Sequence, residues 1–240
     1  MIISIETSTS DLSITLLNKE NVINHKSVSF KNELSEIIVP TIKHFLKENS
    51  ISFKDISFLA VGCGPGSFTG IRCVISTALG IKISNNHINS IGVNSLAGLA
   101  MSAVDEAKKL KLKYIISSID SKRDDLFLQL FKINYSENNL IPFTVVKDID
   151  TIKIDNLNNY FVINNIILKD ILFIGYQSNI AQQIVRNLTV SIKLKQVPDS
   201  QGVSELASYL IRNKVNLNKT NFAFDKFKPV YVRSAQLNLK

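Results

Sequence analysis

The stretch Gly62-Cys63-Gly64-Pro65-Gly66-Ser67-Phe68-Thr69-Gly70-Ile71-Arg72 holds four of the chain's nine glycines. The apolar run Ile56–Val61 before it reads as a buried strand. After it, Ile71, Val74, Ile75, Ala78 and Leu79 recur at helical spacing. The segment is therefore a strand-to-helix turn. Glycines there let other backbone come close, and the first N–H groups of the helix lack intrahelical partners. Such a turn can hold an anion, receive another surface, or only pack its own helix tightly. A P-loop is excluded, because no Gly-Lys-Ser/Thr follows. A dinucleotide fingerprint fits poorly, since Pro65 lies inside the turn and no acidic residue follows at the required distance. Ser67 sits outside the Gly-x-Ser-x-Gly elbow and reads as a helix cap. Gly70, Thr77 and Gly80, beside Ile71 and Leu79, form a small-residue path that would admit a second helix, which makes Gly70→Arg a change expected to block docking and spare the fold.

Other side chains offer little chemistry. His25, His44 and His87 are isolated, with no His-x-x-x-His or His-Glu-x-x-His pair, so no metal is expected. Cys63 and Cys73 flank the glycine turn and read as small thiols in a reducing cytosol rather than a disulfide framework. Asp120, Lys122, Arg123, Asp124 and Asp125 read as a solvated hairpin tip.

The elements that would carry these residues follow from periodicity. Ile2–Glu6 and Leu12–Leu17 read as a hairpin around Thr7-Ser8-Thr9-Ser10-Asp11, with Val22–Phe30 a third strand. Asn32 can cap a helix in which Leu34, Ile37, Ile38, Thr41, Ile42, Phe45 and Leu46 share one face, with Pro40 expected to kink it. The helix after the glycine turn runs to about Lys82, and Val93-Asn94-Ser95 opens another through about Leu110. Lys113–Ile119 and Leu126–Ile133 form a second strand pair. Ile171–Gly175 reads as a strand, Gln177–Leu188 as a helix and Ser204–Arg212 as a late helix. Two halves, each a strand meander followed by helices, suggest a duplicated α/β architecture.

At 240 residues and 45% hydrophobic content the chain can bury a sizeable core. Tyr160–Gly175, its nearest approach to a long apolar run, is interrupted by Asn164, Asn165, Lys169 and Asp170, which argues against a membrane span. The N-terminus lacks a basic lead and meets Glu6 too early for a signal peptide, so a cytoplasmic location is expected. The net charge of +8 and pI near 9.4 fit weak attraction to tRNA. The lysines are scattered, however, and no run interleaves aromatics with arginines.

Gly64–Arg72 resembles the signature of the TsaB (YeaZ) family. The resemblance extends to Ile3-Ser4-Ile5-Glu6-Thr7-Ser8, Ile91-Gly92-Val93-Asn94-Ser95-Leu96, Ile119-Asp120-Ser121-Lys122-Arg123 and Pro229-Val230-Tyr231-Val232-Arg233, and is weak from about Asn134 to Pro198. It implies an α/β, duplicated actin-like/sugar-kinase (ASKHA, RNase H-like) fold with two lobes of mixed sheet. The first lobe would span 1–103, with 222–240 returning to it, and the second 104–221. It implies a non-catalytic partner of TsaD, needed for threonylcarbamoyl transfer to the adenosine beside the anticodon of ANN-decoding tRNAs. TsaE would join the pair, tRNA would be met indirectly through the complex, and the chain alone would form a homodimer. The docking residues implied are Gly64, Pro65, Gly66, Ser67, Phe68, Thr69, Gly70, Ile71, Arg72, Ile75 and Leu79. No cofactor is implied for the isolated chain, with ATP or ADP placed at the junction with TsaD. In actin-like folds the first hairpin turn cradles phosphate, which makes Glu6, Thr7 and Ser8 a candidate nucleotide turn, although that turn has no glycine. The alternatives are a kinase-like ATP-binding enzyme, a metal-dependent hydrolase or a direct tRNA-binding module.

Overall fold

The computed structural model describes residues 1–30, 34–136, 140–163, 167–176 and 195–232. The expected cap Asn32, the expected helix Gln177–Leu188 and Arg233 lie outside these residues. The first lobe opens with strands β1 (Ile2–Glu6), β2 (Asp11–Asn18) and β3 (Asn21–Ser29), followed by helix α1 (Leu34–Glu48), β4 (Phe58–Gly62), α2 (Phe68–Ser84) and β5 (Asn89–Val93). The expected third helix is two: α3 (Ser95–Met101) and α4 (Val104–Lys109). Strands β6 (Tyr114–Arg123), β7 (Asp125–Ile133) and β8 (Phe143–Ile152), helix α5 (Leu157–Ile163) and β9 (Ile171–Gly175) build the second lobe. Helix α6 (Ser200–Arg212) and the short strand β10 (Ala223–Phe224) follow.

Among the described residues the strands form two sheets with one plan. In the first, the order β10-β5-β4-β1-β2-β3 contains an antiparallel meander, β1 to β3, with β4 parallel to β1. In the second, β8-β7-β6-β9, the meander runs from β6 to β8 and β9 lies parallel to β6. The duplication expected from the element order is thus present in the strand pairing. Strand β10 pairs antiparallel with β5.

The apolar pattern decides the layering. Ile3, Ile5, Ile14 and Leu16 pack with Leu34, Ile38, Ile42 and Phe45 of α1 and Ile71, Val74 and Ala78 of α2. The other face of the same sheet packs on α6, α6 packs on α3, and α3 packs on the second sheet, so that Leu96, Leu99, Val203, Leu206 and Leu210 share one core with Ile115, Ile119 and Phe131. Helix α5 covers the far face of that sheet through Tyr160 and Phe161. Strand β1 is buried along its whole length because helices cover both faces. Pro40 lies on the exposed face of α1, and the helix continues through it.

Helices α3 and α6 cross at glycines. A Cβ on Gly202 would stand 2.2 Å from the carbonyl oxygen of Gly98. Because that obstacle is backbone, Gly202→Ala should cost about 2–3 kcal/mol through overpacking. Urea denaturation measures this, and a loss below about 0.5 kcal/mol, the range of a neutral surface change, would contradict so close a crossing.

Candidate functional site: a carboxylate under the glycine turn

The glycine turn joins β4 to α2, directly over the β1–β2 turn and the start of α3. Ser67 caps α2, its Oγ accepting from the N–H of Gly70 at 3.2 Å, as expected of a capping serine. Asn94 caps α3, its Oδ1 accepting from the N–H of Leu96. These two caps bring both helix starts around one side chain, Glu6.

Glu6 is 1% exposed. Its Oε1 accepts from the N–H groups of Thr7 and Ser8 at 2.8 and 2.6 Å, and its Oε2 accepts from Ser95 Oγ at 2.7 Å. The same Ser95 hydroxyl accepts from the N–H of Gly64, while the Ser95 N–H donates to the Gly64 carbonyl. Burial pushes the Glu6 carboxyl above its ordinary value of 4.5, against the hydrogen bonds from Ser95, Ser8 and Thr7. A Cβ on Gly62 would lie 1.9 Å from Glu6 Oε2, so the carboxylate occupies space that only glycine leaves open.

The two turns are also tied directly. The Ser67 N–H donates to the Ser8 carbonyl at 2.7 Å, and Thr7 Oγ1 donates to the Gly70 carbonyl at 2.9 Å. The carbonyl of Cys63 accepts from Val230 N–H, which fastens the C-terminal segment to the turn.

These bonds revise two expectations. The N–H groups of Thr7 and Ser8, which a phosphate in this turn would use, are taken by the chain's own carboxylate. A Cβ on Gly70 would stand 2.2 Å from the Thr7 carbonyl oxygen, so Gly70→Arg would break the turn itself and cannot report on docking alone. Of the residues expected to dock, Gly64, Pro65, Gly70, Ile71 and Ile75 are buried within the chain, and Gly66 and Ser67 are partly covered. Phe68, Thr69, Arg72 and Leu79 are exposed.

The remaining candidates are dispersed. His25 Nδ1 shares a hydrogen bond with Thr15 Oγ1, His44 pairs with Glu48, and His87 Nε2 meets the Phe53 carbonyl. Among the described residues no group of three or more His, Cys, Asp or Glu could hold a metal ion. Burial pushes the Cys63 thiol up to about 12, which leaves it unreactive at neutral pH. The tip between β6 and β7 is satisfied largely by itself: Asp120 accepts from the Lys122 N–H and pairs with its Nζ, and Ser121 Oγ donates to Asp125.

That tip faces the glycine turn across a cleft of about 950 Å³, lined by Thr9, Ser10, Phe68, Arg72, Ser121, Lys122, Arg123 and Tyr231 among others. Arg72 lies 3.7 Å above the Phe68 ring and donates from Nε to Tyr231 Oη at 2.9 Å. Sequence spacing missed this group because Tyr231 is remote from Phe68 and Arg72. The only signal was the i, i+4 pair Phe68 and Arg72.

A doubled meander-and-crossover sheet, with the two first-hairpin turns facing a shared cleft, defines an actin-like α/β protein. The model of the family described as TsaD, tRNA N6-adenosine threonylcarbamoyltransferase, matches residues 28–237. The tRNA threonylcarbamoyladenosine biosynthesis protein TsaB of Buchnera aphidicola (subsp. Schizaphis graminum) is 32% identical over 159 residues, 66% of this chain and 71% of that one. Its Escherichia coli K12 namesake is 31% identical over 126 residues, 52% of each chain. A crystal structure of a Pseudomonas aeruginosa protein similar to peptidase YeaZ superposes with a TM-score of 0.69 at 16% identity, over 97% of this chain and 99% of that one. The chain therefore belongs to the TsaD family as that model defines it, and within it to the TsaB, or YeaZ, proteins. Among the described residues no helix is long and apolar enough to cross a membrane.

The buried carboxyl sets a pH dependence. Its folded-state pKa is raised, so its contribution is fully present below the unfolded value of 4.5 and is lost as pH rises through the raised value. Glu6→Gln should remove that slope from urea stability measured upward from pH 4.5. An identical slope in the variant would contradict the assignment. Glu6→Ala should cost roughly 2–5 kcal/mol, because two buried N–H groups lose their acceptor.

Proposed function

We propose that this chain serves the formation of threonylcarbamoyladenosine in tRNA as the docking partner of a TsaD-type transferase, contributing no catalytic side chain. The observation that carries this reading is an uncovered apolar face on α1 and α2. A groove of about 450 Å³ runs between them, lined by Val39, Ile42, Phe53, Thr77, Gly80 and Ile81. Val39, Leu79 and Ile83 on these helices are 42%, 44% and 75% exposed, and grouped exposed apolar side chains mark interaction sites. Among the described residues nothing lies within 4 Å of where a Cβ on Gly80 would stand. No packing among the described residues requires a glycine there, whereas a second helix approaching the face would benefit from one.

In this reading the same face serves a homodimer of the chain alone and the complex with TsaD. TsaE joins the pair, and ATP or ADP belongs to the junction rather than to the β1–β2 turn. The transfer to the adenosine beside the anticodon is carried out by TsaD. A kinase-like or hydrolytic activity of this chain is disfavoured: Glu6 spends Oε1 on its own turn and Oε2 on Ser95 of α3, and the histidines stand apart.

Gly80→Arg separates docking from folding. Arginine is the better helix former by about 1 kcal/mol, so the melting temperature should hold. Light scattering should show loss of the dimer, and reconstitution with threonylcarbamoyl-adenylate, tRNA, ATP, TsaD and TsaE should lose turnover. A dimeric, fully active Gly80→Arg protein would refute the docking face. Modified adenosine formed by this chain without TsaD would refute its non-catalytic role.

A further inference from the structure

We infer that the cleft between the glycine turn and the β6–β7 tip receives a single-stranded segment of RNA. The choice of RNA rests on the function proposed above, but the chemistry of the cleft is independent of it. Among the described residues three cations line it, Arg72 on the α2 wall and Lys122 and Arg123 on the opposite tip, and no carboxylate does. Among the described residues neither Arg72 nor Arg123 enters an ion pair, while Lys122 is held by Asp120. The two guanidinium groups are thus available to phosphates.

The same cleft presents rings. Phe68 and Tyr231 are 46% and 49% exposed, with centroids 5.6 Å apart and planes tilted by 35°. Arg72 is fixed beside the pair by its position over Phe68 and its bond to Tyr231 Oη. Aromatic faces beside unpaired arginines are what unstacked bases and their phosphates use, and they tolerate any sequence.

A strand fits better than a mononucleotide. Three backbone donors of the facing turns are engaged within the chain: Thr7 and Ser8 N–H by Glu6, Ser67 N–H by the Ser8 carbonyl. What remains is side-chain cations on facing walls, an arrangement suited to phosphates along a chain.

The test is fluorescence anisotropy of the full chain with a labelled single-stranded RNA of ~12 nucleotides, a length within the usual site size. Arg123 lies on an exposed tip, so Arg123→Ala should leave the melting temperature unchanged while weakening RNA at least fivefold. The slope of log K against log salt should shrink by about 0.7, the value for one lost phosphate contact on a single strand. Phe68→Ala should weaken binding to a similar extent with no change in slope. Lys169→Ala, away from the cleft, should change neither. The inference is overturned if RNA fails to bind at low salt, or if Arg123→Ala and Lys169→Ala behave alike. It is equally overturned if polyglutamate or ATP competes as well as unlabelled RNA. If RNA does not bind while reconstituted modification still requires the chain, this inference falls and the docking reading stands. If RNA binds while the chain is dispensable for modification, the reverse holds.

Discussion

A carboxylate removed from water must be met by donors or surrender its charge. Glu6 is met by two backbone N–H groups of its own turn and by Ser95 at the start of a distant helix. That one side chain fixes where the β1–β2 turn ends, where α3 begins and how closely the glycine turn can pass. Gly62 leaves its space, Ser95 passes the bond on to Gly64, and Ser67 and Thr7 close the two turns on each other. In an actin-like frame, the backbone donors that a phosphate in this turn would use are taken by a carboxyl of the chain itself.

The doubled architecture makes this consequential. Because β6 and β7 repeat the roles of β1 and β2, the second lobe directs its own hairpin tip toward the glycine turn. Helices α3 and α6, crossing at Gly98 and Gly202, lie between the sheets and share a single apolar core with both. The cleft walls therefore rest on one packed layer. On the opposite side of the first sheet, α1 and α2 bury one face and leave Val39, Leu79 and Ile83 in water. The first lobe thus contributes to two different surfaces, one wall of a cationic and aromatic cleft and an apolar helix pair.

Much of this was legible in the sequence where local chemistry dictates structure. The alternating and continuous apolar runs placed β1 to β4, and the helical face of α1 matched its burial closely. Ser67 announced itself as a cap. What escaped was set by tertiary contact. The break between α3 and α4 carries no glycine or proline, yet it falls where Ser102 passes α6, 2.7 Å from the position of a Gly202 Cβ. Strand β8 is bulged against β7, which disrupts the period of two that would mark it. Helix α6 begins at Ser200, four residues before its first expected turn, because Asp199 caps it through the Gly202 N–H. Gly70 resembled a docking residue because its neighbours are helical and small, and only the approach of Thr7 shows that it faces inward. The cluster of Phe68, Arg72 and Tyr231 unites residues far apart in the chain, a proximity that no spacing rule contains.

The central claim is that Glu6 permanently occupies the anion position of the first turn. The most direct measurement is the behaviour of the Thr7 and Ser8 backbone amides in nitrogen-15 NMR, with hydrogen exchange followed in the isolated chain with and without magnesium ATP. The account predicts amides that exchange only through global unfolding, with shifts and protection unchanged by the nucleotide. Rapid exchange of either amide, or a shift of both on adding nucleotide, would show that the turn is open to an external phosphate and would contradict it.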